Sequence, residues 1–169
     1  VIPAENATDY VDDPVYVEAT EQASDSLTVH DRQDITTLKA TEEAAERAYA
    51  EAGVTPGDVD LAEVHDSYTV AEILAVEDLG FAEKGDGGGY IADGRASVDG
   101  ETPTNPSGGL KACGHPLGAT GVRQVVDATR QLRGEAGTQV EDASVAVTQN
   151  VGGTGGTAVV NVLSDRRSA

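Results

Sequence analysis

Ser107-Gly108-Gly109-Leu110-Lys111-Ala112-Cys113-Gly114-His115-Pro116-Leu117-Gly118-Ala119-Thr120-Gly121 frames one histidine with glycines on one side and with proline and small residues on the other. Glycine lets a backbone approach a ligand closely and take up positive φ. Proline directly after the histidine suits the first position of a helix. The apolar positions Leu117, Val122, Val125, Val126 and Leu132 extend that helix over 116–133. His115 is therefore expected at a helix N-terminus, above a glycine-lined floor. The helix dipole there favours an anion and disfavours an imidazolium, and a neutral imidazole is what a general base needs. Cys113 lies two residues earlier. In an extended segment the two side chains would share a face, making Cys113 a candidate thiol acid/base; the alternative is a small buried hydrophobe.

Outward from this segment, the chain alternates strand and helix signals. Val15, Val17 and Ala19 alternate in a strand over 14–20. Residues 21–34 are polar, a loop in which His30 reads as a surface residue. Leu38, Ala45, Ala48, Tyr49 and Ala52 recur at helical spacing over 36–52, with Gly53 and Pro56-Gly57 ending the run. A short strand over 60–64 delivers His65 at its C-terminal end. A helix follows over 69–79 with Val70, Ile73 and Leu74 inward. Residues 85–89 read as a loop, and 90–104 as irregular with room for a short hairpin. Valine-rich strands over 144–148 and 157–163 are joined by a glycine loop. The order strand-helix-strand-helix-short strand-helix-strand-strand predicts an α/β fold, a mostly parallel five-stranded sheet flanked by helices. Functional residues in such sheets gather at the C-terminal strand edges, where His65, His115 and Asn150 fall.

The central segment resembles the Gly-His-Pro motif of the thiolases, in the form Gly-Gly-x(5)-His-Pro-x-Gly-Ala-x-Gly. Two more segments agree in order and spacing. His65-Asp66-Ser67-Tyr68 resembles the His-Asp-Cys-Phe motif of the sterol-carrier-protein-type and archaeal thiolases. Gln149-Asn150-Val151-Gly152-Gly153-Thr154-Gly155-Gly156 resembles the family's final glycine-rich loop. The resemblance covers only the C-terminal part of a thiolase, without the half that carries the nucleophilic cysteine. It implies that 1–13 are the remnant of that N-terminal half and a linker, and that 14–169 are the C-terminal domain. The absence of methionine fits a fragment or a processed product, expected to be inactive alone.

The resemblance also implies roles. His115 would activate the nucleophilic cysteine and contact the thioester oxygen, and His65 would help polarise the acyl oxygen. Ser67 stands where many sterol-carrier-type thiolases have a second acid/base cysteine, and a serine hydroxyl is far too weak an acid to replace it. Asn150 stands where classical thiolases have theirs; an amide cannot transfer a proton but can donate a hydrogen bond to an oxyanion. The second proton is left to His65, to water or to Cys113. Gly152 would bring a backbone amide to the oxyanion, with Asn105, Gly108 and Gly109 shaping the floor. The implied reaction is that of an acetyl-CoA C-acetyltransferase: Claisen condensation of acyl-CoAs, or thiolysis of a 3-ketoacyl-CoA. Coenzyme A thioester is substrate here, and no bound cofactor is expected. Implied partners are the N-terminal half, further copies in a homo-oligomer, an OB-fold protein and a hydroxymethylglutaryl-CoA synthase. Alternatives are a ketoacyl synthase-like condensing enzyme, whose site Asn150 would fit, and a non-catalytic thiolase-like subunit or lipid-carrier scaffold.

Composition narrows the classes further. The 169 residues suffice for one domain with a core. Thirty acidic against 11 basic residues give a net charge of −19, which disfavours nucleic-acid binding. The acids are spread along the chain, as on a halophile's solvated surface, the alternative being an acidic mesophilic enzyme. Together with the resemblance to archaeal thiolases, the halophilic reading implies a haloarchaeal source. One cysteine excludes an internal disulfide and suits a reducing cytoplasm. No His/Cys/Asp/Glu cluster has metal-ligand spacing, and no apolar run is long enough to span a bilayer.

Stability should rise with salt, because self-repulsion at this charge is screened over about 30 Å at 0.01 M but about 3 Å at 1 M. Thermal melts across that range should climb; a flat or falling midpoint would refute the halophilic reading.

Overall fold

The computed structural model describes residues 1–165. Its four strands are β1 (Tyr16–Ser24), β2 (Leu61–Val64), β3 (Val145–Gly152) and β4 (Thr157–Ser164), in the order β1-β4-β3-β2. β2 and β3 pair in parallel, with Val64 opposite Gln149 as the last rung. β3 pairs with β4, and β4 with β1, antiparallel. The sheet is thus mixed rather than mostly parallel, and has four strands rather than five. The glycine loop at 153–156 is too short for a crossover, so β4 must return antiparallel. The expected short strand ahead of the central segment shrinks to one bridge, Thr104 to Ala62. Pro103 and Pro106 have no N–H to extend a ladder, and Asn105 turns the chain away with φ +52°.

Small residues set the layer on one face. Ala40, Ala44, Ala45 and Ala48 bury one side of α1 (Lys39–Ala52), which packs on the sheet with α2 (Thr69–Asp78) beside it. Ala62, Val64, Val147, Val160 and Val162 complete that core. On the other face lies α5 (Thr120–Leu132), over a smaller core of Leu61, Ala128, Leu132, Val140, Ala146 and Leu163. β2 is buried throughout, with Leu61 turned towards α5 and Ala62 and Val64 towards α1 and α2.

Several local expectations change. The loop at 85–89 and the irregular stretch after it begin as a short helix, α3 (Gly87–Ala92), because the Glu77 carboxylate accepts the Gly87 N–H at 2.9 Å. In α2 the buried residues are Ala75, Val76 and Asp78, while Val70 is exposed. Asp78 is buried because it accepts the Leu38 N–H at 2.7 Å and pairs with Lys84. The helix expected from Pro116 starts only at Thr120. Gly118, at φ +81°, interrupts it, and 116–119 form a turn closed by Ala119 N–H to the Pro116 carbonyl, 3.0 Å. A short helix, α4 (Gly109–Cys113), precedes His115 instead. Of the apolar positions that signalled α5, Leu132 is buried, but Leu117, Val122 and Val126 are exposed; the buried side carries Thr120, Gln124, Ala128 and Gln131. Residues 1–13 include a single 3-10 helix, Ala4–Asp9.

The start of α4 is seated on the end of β2. Asp66 accepts the Leu110 N–H through both oxygens, at 2.9 and 3.2 Å. Gly109 has φ +60°, and a Cβ there would be driven into the Asp66 carboxylate. Gly109→Ala should therefore destabilise the protein by more than the roughly 1–3 kcal/mol of a left-handed non-glycine residue. Each kcal/mol lowers the melting temperature by about 2–4 °C at this size; an unchanged midpoint would refute this seating.

Candidate active site

The site is assembled at the point where the β2–β3 ladder ends. At the end of a ladder, buried backbone groups need side-chain partners. Two glutamines supply them. Gln149 accepts the His65 N–H through Oε1 at 3.0 Å and donates through Nε2 to Thr41 of α1 at 2.8 Å. Gln124, fully buried on α5, donates through Nε2 to the carbonyls of Gln149 at 2.9 Å and Glu63 at 3.3 Å.

This orientation propagates to the histidine. With its nitrogen committed to two carbonyls, Gln124 presents Oε1, which accepts from Asn150 Nδ2 at 3.0 Å. The second hydrogen on Asn150 Nδ2 points at His65 Nδ1, 3.2 Å away. His65 Nδ1 is thereby an acceptor, and the proton of the neutral ring sits on Nε2. Burial, and then the neighbouring His115, push the His65 pKa below its ordinary value. The ring is held as a neutral hydrogen-bond donor, suited to a developing negative charge.

His115 approaches from the loop between α4 and α5. Its ring stands edge-on to His65, centroids 4.8 Å apart and planes at 79°. Nδ1 lies 2.6 Å from Thr120 Oγ1 in the first turn of α5. In the tautomer whose Nδ1–H donates to that hydroxyl, Nε2 carries the free lone pair. His65, His115, Asn150, Gly152 and Gly153 share one cleft of about 580 Å³. Two imidazoles, one of them an N–H donor, and a glycine backbone thus converge.

The other candidates lie elsewhere. Gly109 is buried against Asp66 rather than lining the cleft. Ser67 is exposed just beyond β2 and does not line it either. Cys113 is the last residue of a helix, not part of an extended segment, so it does not share a face with His115. It lines a separate cavity of about 230 Å³ with Ser107 and Asp127, its Sγ 3.9 Å from the Ser107 carbonyl. Asn105 accepts the Val64 N–H at 2.8 Å, and His30 is exposed. Gln124, Gln149, Thr120 and Glu63 were not legible as site residues. Glu63 alone carried a signal, a charge within the otherwise apolar run Leu61-Ala62-Glu63-Val64. Burial pushes its pKa up to about 7, against the pull of Ser107 hydrogen bonds and the Arg123 charge. Among the described residues no group of His, Cys, Asp and Glu could hold a metal ion, and no helix is long and apolar enough to cross a membrane.

The His65 imidazole should titrate below its usual value near 6.5, becoming charged only as the pH falls through that depressed value. Above it, nitrogen chemical shifts should report the Nε2–H tautomer. Asn150→Asp, placing a carboxylate beside Nδ1, should raise the pKa and move the proton to Nδ1. Titration of wild-type His65 at or above 6.5 would contradict its burial beside His115, and an Nδ1–H tautomer would contradict the network.

The chain resembles known proteins over nearly its whole length. The family profile described as "Thiolase C-terminal domain-like" matches residues 21–165. The chain is 57% identical over 163 residues to an acetyl-CoA acetyltransferase of Methanothermobacter thermautotrophicus, an alignment covering 96% of this chain and 43% of that protein. It is 45% identical over 177 residues to an acetyl-CoA acetyltransferase of Methanocaldococcus jannaschii, covering 99% and 45%. Among solved structures it superposes on the "Ltp2-ChsH2(DUF35) aldolase" with a TM-score of 0.86 at 26% identity, over 98% of this chain and 43% of that one. The chain spans less than half the length of each of these proteins.

Proposed function

The chain belongs to the thiolase family, and from that premise we propose that it is the C-terminal domain of an acyl-CoA acyltransferase of acetyl-CoA C-acetyltransferase type. The observation that carries this reading is the imidazole pair, one ring locked as an N–H donor and the other offering a lone pair into the same cleft.

In this reading a cysteine from an N-terminal half accepts the acyl group from a coenzyme A thioester. His115 Nε2 takes the thiol proton, and Thr120 holds the ring through Nδ1. The resulting thiolate attacks the thioester carbonyl, and the coenzyme A thiolate leaves. In condensation, a second acyl-CoA binds with its carbonyl oxygen between the two histidines and loses an α-proton, His65 Nε2–H stabilising the enolate; the enolate carbon attacks the acyl-cysteine carbonyl, the new carbon–carbon bond displacing the cysteine thiolate, and thiolysis runs the same steps backwards. Neither Ser67 nor Asn150 can serve as the second acid/base: the hydroxyl is too weak an acid, and Asn150 spends both N–H groups on Gln124 and His65. His65 or water moves the second proton. The exposed Leu117, Val122 and Val126 form the face on which the N-terminal half packs, and 1–13 lead from it. Assembly into homo-oligomers, and with an OB-fold protein and a hydroxymethylglutaryl-CoA synthase, belongs to the same proposal, as do a cytoplasmic location and a halophilic source.

One observation favours a second reading. Among the described residues lining the cleft there is no thiol, and a structure called an aldolase superposes well. Carbon–carbon cleavage of a 3-hydroxyacyl-CoA needs a base and an enolate stabiliser but no acyl-enzyme. It would release an aldehyde or ketone without consuming coenzyme A, which separates it from thiolysis.

The test is the steady-state rate of the whole protein with acetoacetyl-CoA and coenzyme A. His115→Ala should lose about 100- to 10,000-fold, the usual cost of removing a general base. Cys113→Ala should stay close to wild type, and residues 1–169 alone should show no turnover. Equal damage from both substitutions would make Cys113 the second acid/base. An active isolated chain would refute a nucleophile in the other half.

A further inference from the structure

Glu63 is fully buried, yet it is not part of the cleft and the chemistry above does not use it. It lies on the same face of β2 as Leu61, turned towards α5, two residues before His65. Alternation along a strand puts Glu63 and His65 on one side. A carboxylate buried this completely is costly unless all its bonding capacity is used, so its partners indicate what it holds.

Those partners belong to a single turn. Glu63 Oε1 accepts the Ser107 N–H at 3.1 Å, and Oε2 accepts the Ser107 hydroxyl at 2.7 Å. The hydroxyl oxygen in turn accepts from Gly109 N–H at 3.3 Å and from Arg123 Nη1 at 3.1 Å. Arg123, on α5, lies 3.7 Å from Glu63 and donates to Asp127 at 2.7 Å. Ser107 therefore has its one donor and both acceptor sites occupied. It stands at the root of the segment that becomes α4 and then the loop bearing His115.

Beyond that root the segment is sparsely held. Residues 111–119 are all exposed. Their side-chain bonds within the chain are Cys113 to the Ser107 carbonyl and His115 to Thr120. The direction in which the loop leaves the sheet is set by Glu63 on Ser107 and Asp66 on Leu110, and both acids project from the strand end that carries His65.

We propose that Glu63 is the positioning residue for His115, its carboxylate gripping Ser107 so that the loop from that turn brings the second imidazole against His65. The inference rests on the acyl-transfer reading for its catalytic consequence, but not for the geometry. β2 and its extension fix His65 directly and, through Glu63 and Asp66, fix where the His115 loop begins. One rigid element thereby registers both imidazoles.

The test compares Glu63→Ala and Glu63→Gln with wild type in the whole protein, by hydrogen–deuterium exchange and by kinetics. In Glu63→Ala, exchange over 107–115 should rise about tenfold or more, the equivalent of a lost hydrogen bond, while β3 and β4 stay protected. kcat should fall by up to about 100-fold, as for an ångström-scale misplacement, with KM for acetoacetyl-CoA within about twofold. Glu63→Gln keeps the side-chain volume and one acceptor oxygen, so it should restore part of both. It also remains informative if the alanine variant fails to fold. Wild-type loop exchange in Glu63→Gln together with wild-type kcat would overturn the proposal, and so would exchange rising equally across the sheet. If wild type itself turns over no acyl-CoA, the acyl-transfer reading fails, and the exchange comparison still decides whether Glu63 holds the loop.

Discussion

The buried amide of Gln124 is the interaction on which the site depends. The parallel β2–β3 ladder stops at Val64 and Gln149, with the carbonyls of its last rungs inside the protein. One side-chain nitrogen satisfies two of them. An unsatisfied buried polar group costs about 1–3 kcal/mol, so the amide has little freedom to flip. Its fixed orientation dictates that of Asn150, which dictates the tautomer of His65. A requirement of strand termination thus becomes a chemical specification of the site two hydrogen bonds away.

The acids near the site work differently from those that give the chain its charge. Most of the carboxylates are solvated and act through solubility and salt response. Glu63 and Asp66 instead spend their acceptor capacity on backbone N–H groups and a hydroxyl in the 107–110 turn. Gly109 fits there because the approach to Asp66 leaves no room for a side chain. Gly109 thus serves the seating of the loop, whereas Gly118, Gly121, Gly152 and Gly153 line the cleft itself.

The exposed apolar side of α5 is the reverse of what an isolated domain would show. Val122 and Val126 face out while Gln124 and Gln131 are buried. The helix has polar work to do on its inner side: Gln124 at the strand ends, and Gln131 holding the Val140 N–H and the Thr138 carbonyl. Apolar residues on its outer side make sense in a chain that spans less than half of its relatives.

By itself the sequence determined the α/β class, most of the element types and, through its motifs, the family, because periodicity, glycine placement and motif spacing are local signals. It singled out His65, His115, Asn150 and Gly152, but only the structure brings them to one cleft. The sequence also carried the charge balance. Only the tertiary structure decided the rest. The sheet is mixed because the 153–156 loop is too short to cross over, and the expected fifth strand fails where Pro103, Asn105 and Pro106 turn the chain. His115 sits on a loop because Gly118 delays α5, and Cys113 ends a helix that removes it from the cleft. Gln124, Gln149 and Glu63 read as ordinary polar positions, since what gives them their function is the end of a ladder formed by segments more than 80 residues apart. Where a ladder ends is a property of how strands pair, and pairing between distant segments leaves no local trace in the chain.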